Sequence, residues 1–157
     1  MSAHPNAALL TSFYEAFQRK DGAAMAALYA DDVTFSDEVF VGLEGPRAGA
    51  MWRMLCKNGK DLELTFSGVE ADDAKGKAHW EARYTFSLTG RKVHNVIDAT
   101  FTFKDGRIAT HVDRFDFYRW ARQALGVTGL LLGWTPLVKN KVRAQASASL
   151  DRFVAGR

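Results

Sequence analysis

Asp105-Gly106 stands between two long runs of alternating apolar residues, and no other feature of the chain narrows its fold so far. Asp-Gly is a preferred two-residue hairpin turn because both positions take φ > 0. Val93 to Phe103 is therefore expected to pair antiparallel with Arg107 to Tyr118. Strand side chains alternate between faces. One face of the second strand carries Ala109, His111, Asp113, Phe115 and Phe117; the other carries Ile108, Thr110, Val112, Arg114 and Asp116. A carboxylate on an apolar face is costly unless it is partnered or put to use. Asp113 is thus a candidate functional group. The plain alternative is a structural core pair in which Asp113 and His111 satisfy each other.

Around this hairpin the periodicities change from helical to extended along the chain. Leu10, Phe13, Tyr14 and Phe17 recur at i, i+3, i+4 and i+7, one face of a helix broken at Asp21-Gly22. Ala24, Ala27 and Leu28 give a shorter helix ending at Asp31-Asp32, and Val33 to Ser36 reads as a short strand with Val33, Phe35 and Asp37 on one side. After a Gly42, Gly45 and Pro46 loop, Ala50, Met51, Met54 and Leu55 mark a third helix, with Trp52 beside its stripe, closing at Asn58-Gly59. Two further strands precede the hairpin: Leu62, Leu64 and Phe66 alternate in one. Lys77 to Leu88 forms the other, with Trp80, Ala82, Tyr84, Phe86 and Leu88 inward and His79, Glu81, Arg83 and Thr85 outward. Three helices followed by a meander of long strands is an α+β pattern with helices covering one sheet face.

Beyond Tyr118 the spacing predicts a helix over Arg119 to Leu125. A compact apolar segment follows, Leu130 to Leu132 and Trp134, with Gly129 and Gly133 as flexible joints. Thr135-Pro136 then supplies an N-cap and a first helical residue for a tail helix striped by Val138, Val142, Ala146 and Leu150. We expect residues 1–125 to form the α+β domain and 126–157 a C-terminal helical extension. The apolar segment is expected to close a pocket mouth or cover a partner's barrel.

Charge and composition exclude several function classes. The net charge of +3 is uneven: residues 117–157 carry seven Lys or Arg against one Asp, a net +6, and the rest carry −3. A basic tail of this kind reads first as a solvated helix face, and no nucleic-acid motif accompanies it. The single cysteine, Cys56, fits a reducing compartment and rules out an internal disulfide. With no leader pattern at the first residues, the expectation is a cytoplasmic protein. No apolar run is long enough for membrane insertion. Four scattered His and one Cys lack metal-ligand spacing, Gly42 to Gly45 lacks the Lys of a phosphate loop, and no nucleophile elbow is present, so no cofactor or metal is expected.

The order of elements, together with Tyr14 to Asp21, Tyr29-Ala-Asp-Asp-Val-Thr-Phe-Ser-Asp37, Phe101-Thr-Phe-Lys-Asp-Gly-Arg-Ile108 and His111-Val-Asp-Arg-Phe-Asp116, resembles the nuclear transport factor 2-like superfamily over roughly residues 7 to 122. That superfamily includes ketosteroid isomerases, SnoaL-type polyketide cyclases, scytalone dehydratase and limonene-epoxide hydrolases. The resemblance implies a cone-shaped α+β barrel: three N-terminal helices packed on a curved antiparallel sheet, with a pocket between them. It also implies a homodimer through the outer sheet face, where His79 and His94 lie. Asp37 falls where the isomerases carry their proton-shuttling Asp. Asp113 falls where epoxide hydrolases carry a carboxylate base and the cyclases a catalytic Asp. Departures are equally specific. The isomerase oxyanion-hole Asp falls at Ala99, with Asp98 one residue away on the other face. The isomerase Tyr falls at Phe13, beside Tyr14. The hydrolase Arg-x-Asp pair falls near Trp80 and Ala82, or near Glu81 and Arg83 with a one-residue gap. These departures argue against steroid isomerisation and weaken epoxide hydrolysis, because a fold specifies its reaction poorly.

The expected inward set is Asp113, Asp37 and His111 as catalytic groups, with Tyr14, Trp52, Trp80, Tyr84, Phe86, Asn95, Phe101 and Phe115 as ligand contacts. Two carboxylates sharing an apolar cavity raise each other's pKa, so one serves as acid and the other as base. This points to a cofactor-independent acid–base enzyme acting on a small apolar oxygenated molecule, as a cyclase, isomerase, dehydratase or epoxide hydrolase. The competing expectation is a non-catalytic dimeric module that binds a small hydrophobic ligand.

Overall fold

A computed structural model describes residues 4–156. Helices α1 (Pro5–Gln18), α2 (Gly22–Ala27) and α3 (Pro46–Asn58) pack on a sheet of six strands. The strands are β1 (Tyr29–Ser36), β2 (Leu43–Glu44), β3 (Glu63–Ala71), β4 (Lys75–Phe86), β5 (Arg91–Lys104) and β6 (Arg107–Arg114). Three C-terminal helices follow: α4 (Phe117–Leu125), α5 (Val127–Leu132) and α6 (Pro136–Val154).

The predicted hairpin forms, with Asp105 and Gly106 both at positive φ (52° and 77°). β6 pairs antiparallel with β5, placing Phe101 opposite His111 and Ala99 opposite Asp113. The α+β architecture holds, with two additions. The strand order is β2-β1-β6-β5-β4-β3, and β1 lies parallel to β6, with Phe35 beside His111. The sheet is therefore mixed, and the order ends on β2 and β3 without closing.

Every residue of the first helix stripe is buried: Leu10, Phe13, Tyr14 and Phe17. His4 caps α1 by accepting from Asn6 N–H, and Asp21 caps α2 by accepting from Ala24 N–H. Four boundaries differ from the sequence reading. The second helix stops at Ala27, and strand structure begins at Tyr29 rather than Val33. β4 ends at Phe86, leaving Leu88 exposed in the following turn. β6 ends at Arg114, because Asp116 accepts from Arg119 N–H and starts α4 at Phe117, so Phe117 is a helix residue. A side-chain cap for orphan helix N–H groups outweighs the continuing apolar alternation there.

The tail helix matches its expected cap and stripe. Thr135 accepts from Val138 N–H; Leu150 is in the main core, and Val138 and Val142 join Phe117, Trp120 and Val93 in a second apolar cluster. The segment before it behaves otherwise. A Cβ placed on Gly129 would lie 1.9 Å from Ala121 O, and one on Gly133 would lie 2.8 Å from Ala121 Cβ. These glycines are contact points that press α5 onto α4, not flexible joints. The close approach turns Leu130, Leu131 and Leu132 outward, where they and Trp134 stay exposed. The expectation that they bury themselves over the pocket is thus corrected: within this chain they cover nothing.

Candidate functional site

A cavity of about 360 Å³ lies between α3, the inner face of the sheet, α4 and α6. Both carboxylates line it, Asp37 from the end of β1 and Asp113 from β6. Trp52, Trp80, Tyr84, Phe86, Asn95 and Phe115 line it as expected. Two expected ligand contacts do not. Tyr14 is sealed in the core, stacked on Phe66 at 5.4 Å, and Phe101 lies behind the cavity wall against His111 at 4.3 Å between ring centres. His111 is fully buried and reaches the cavity only through Asp113.

Asp113 is the end of a hydrogen-bond chain. Its Oδ1 is 2.8 Å from His111 Nε2 and accepts from Trp80 Nε1–H at 3.4 Å. His111 Nδ1 is 2.8 Å from the Tyr29 hydroxyl, which accepts from Trp52 Nε1–H at 2.7 Å. Indole N–H groups only donate and a carboxylate only accepts. Only one proton arrangement satisfies every member: Trp52 donates to Tyr29, Tyr29 donates to His111 Nδ1, and His111 Nε2–H donates to Asp113. A proton on Nδ1 would leave the buried Tyr29 hydroxyl proton without an acceptor, a cost of about 1–3 kcal/mol. The chain thereby fixes the histidine tautomer and aims Asp113. Among the described residues Oδ2 of Asp113 accepts no hydrogen bond.

Asp37 is held differently. Its Oδ1 accepts from Val39 N–H at 2.7 Å and Phe40 N–H at 2.6 Å, a local side-chain turn rather than the cap of a later helix. Its carboxyl is raised from the ordinary 3.8 to about 7: burial is the largest cause, the Asp113 and Glu38 charges add to it, and the two N–H donors oppose it. Tyr84 stands nearby, its hydroxyl accepting from Trp120 Nε1–H at 2.7 Å; burial raises it to about 12, so it stays a hydroxyl. Its own proton is free to point into the cavity.

Several contributors escaped the sequence reading. Tyr29 shares strand parity with Val33 and Phe35, and starting that strand four residues earlier would have turned it inward. Trp120 belongs to a helix whose start was misplaced, and Gln145 and Ser149 reach the cavity from α6, whose docking site no local pattern encodes. Tyr14 carries the one buried side-chain oxygen without a hydrogen-bond partner among the described residues. No group of three His, Cys, Asp or Glu among those residues could hold a metal ion.

The fold is shared with many solved structures. An NTF2-like protein of unknown function from Burkholderia pseudomallei superposes with a TM-score of 0.65 at 20% identity, over 78% of this chain and 98% of that one. An LEH-like epoxide hydrolase from M. tuberculosis gives 0.62 at 20% identity, over 81% and 95%. A proposed polyketide cyclase from Xanthomonas campestris gives 0.62 at 22% identity, over 74% and 93%. No curated protein matches in sequence. At these identities the structures speak for the fold alone. The sequence itself goes further: residues 10–111, from the first helix to the histidine behind Asp113, match the model of the SnoaL-like domain, and the chain belongs to that family.

Proposed function

We propose that the cavity is the active site of a cofactor-independent acid–base enzyme for a small apolar molecule bearing oxygen. One observation carries this reading: two carboxylates face one aromatic cavity, and Asp37 is pushed up to about 7. Near neutral pH a substantial fraction of Asp37 is protonated and able to donate. Asp113, oriented through His111 and Tyr29, takes a proton from a carbon beside a carbonyl or from a water molecule. Asp37 delivers one to the oxygen that gains charge, and the Tyr84 hydroxyl supplies a second donor there. Cyclisation, isomerisation, dehydration and epoxide opening all use this pair of transfers. The solved relatives described as an epoxide hydrolase and a polyketide cyclase support the same range. We further propose a homodimer through the outer sheet face, where His79 bridges Asp98 and Glu81, and Glu81 also takes His94.

The test is a panel of apolar substrates, an epoxide, a β,γ-enone, a β-hydroxy ketone and an aromatic β-ketoester, offered to the protein and to Asp113→Asn. General-base catalysis contributes typically 10²–10⁴-fold, so turnover should fall by about that factor in the variant while the Kd for a bound product changes little. Tight binding of panel members with turnover by neither protein would favour the binding module instead.

A further inference from the structure

We propose that the face built by α5 and the start of α6 docks peripherally on an anionic lipid surface. Val127, Leu130, Leu131, Leu132, Trp134 and Leu137 make up six of the nine large apolar side chains that stand exposed among the described residues, all within an eleven-residue window. Scattered exposed apolar residues are ordinary, but a contiguous cluster marks an interaction surface. Leu131 is 62% exposed, Trp134 72% and Leu137 75%.

The cluster is held, not loose. Gly129 and Gly133 let α5 press on Ala121, the Tyr118 hydroxyl donates to Leu130 O at 2.7 Å, and Thr135 Oγ1 donates to Leu132 O at 2.6 Å. The backbone is therefore fixed with its leucines pointing away from the core, a geometry that a collapsed or disordered segment would not keep.

Charge selects the partner. No Asp or Glu occurs between Asp116 and Asp151, whereas Arg119, Arg122, Lys139, Lys141 and Arg143 do. Lys139 is paired with Glu38 at 2.8 Å, but Arg122 and Lys141 are exposed and make no ion pair among the described residues. Arg122 stacks on the Tyr118 ring at 5.0 Å, and Lys141 lies one turn beyond Leu137 on the same side of α6. Leucines and a tryptophan flanked by unpaired cations, in a stretch of chain that carries no Asp or Glu of its own, are the chemistry of an interfacial helix on anionic lipid. A second copy of this face would bring like charges together. Among the described residues no helix is long and apolar enough to cross a membrane, so the proposed contact is a surface one.

Vesicle co-sedimentation of the full chain tests this, with phosphatidylcholine alone and with added phosphatidylglycerol, at low and high salt. Leu131→Ser and Lys141→Glu change exposed side chains, and thermal melts check that each still folds. Binding is expected only to the anionic vesicles, weakened by salt. Leu131→Ser should lower the partition coefficient about tenfold or more, the equivalent of one buried leucine at about 1.4 kcal/mol per tenfold. Lys141→Glu should lower it by a similar factor. Absence of binding, equal binding to both vesicle types, or binding unchanged by Leu131→Ser overturns the proposal. Self-association that Leu131→Ser abolishes, in a protein that ignores vesicles, also overturns it and makes this face a contact between copies.

Discussion

Replacing Asp37 with Asn should make the protein more stable at high pH and leave it nearly unchanged at low pH. The turn survives the change, because an amide oxygen still accepts from Val39 N–H and Phe40 N–H. What disappears is the charge. In the unfolded chain Asp37 ionises near 3.8, and in the folded protein near 7. A carboxyl raised on folding favours the protonated native state: its contribution is fully present below about 3.8 and is lost as pH rises through about 7. The gap between those values corresponds to about 4 kcal/mol at 1.36 kcal/mol per pH unit. Asp37 is only half-buried and faces the cavity, so solvent screens part of it, and about 2 kcal/mol is the working figure. Urea denaturation of both proteins at pH 4.5 and pH 8.5 isolates the effect, since every other titrating group is common to the two. The stability difference should grow in favour of Asp37→Asn by about 1–2 kcal/mol across that interval. A flat difference refutes the raised pKa. A difference that moves against the variant shows instead that the two N–H donors dominate and hold Asp37 ionised.

Tyr29→Phe leaves His111 Nδ1 and Trp52 Nε1–H without partners in the core and should cost about 2–4 kcal/mol by chemical denaturation, from two buried orphans. Gly129→Ala forces a methyl group into the Ala121 carbonyl; limited proteolysis should then cut between Leu125 and Trp134 while the sheet core resists. His79, hydrogen-bonded to Asp98 and Glu81, should titrate above 6.5 by NMR, and Asp98→Asn should bring it down. Sedimentation at micromolar concentration should show a dimer, and charge reversal at Glu81, which holds both His79 and His94, should weaken it.

Strand parity made much of this protein readable. The Asp105-Gly106 turn pairs β5 with β6, but the register shifts between Thr102 and Phe103. Ile108 beside the turn is therefore buried as well as His111 and Asp113 beyond the shift, although unbroken alternation puts Ile108 on the opposite face. Trp80, Tyr84 and Phe86 followed from the same rule on β4. Inward is not the same as cavity-facing, however: Phe101, placed by parity, and Tyr14, placed by helical spacing, point inward but sit behind other rings. Trp52 looked like a flank of its helix stripe, yet it is fully buried and bonded to Tyr29 across the core. The parallel pairing of β1 with β6 joins segments some seventy residues apart, and no local signal encodes such a partnership. The outward leucines of α5 inverted the usual expectation because two glycines brought backbone to backbone, and side-chain hydropathy says nothing about that.

That same parallel pair sets the order in which the site comes into existence. Tyr29 is made early in synthesis and His111 late, and until Arg107 to Arg114 leaves the ribosome β1 has only the two-residue β2 beside it. Closing so long a loop is slow, and contacts of high sequence separation slow folding generally. Tyr14 and Phe17 can pack on Phe66 and Trp80 of the earlier strands, but Phe13 and Phe35 wait for His111, a period in which a chain is prone to aggregate. When β6 docks, one step completes the sheet and assembles the Tyr29–His111–Asp113 chain. A nascent chain stalled before that hairpin would carry Asp37 and Trp52 but no base at all, so chemistry at this site can begin only with the final closure of the sheet.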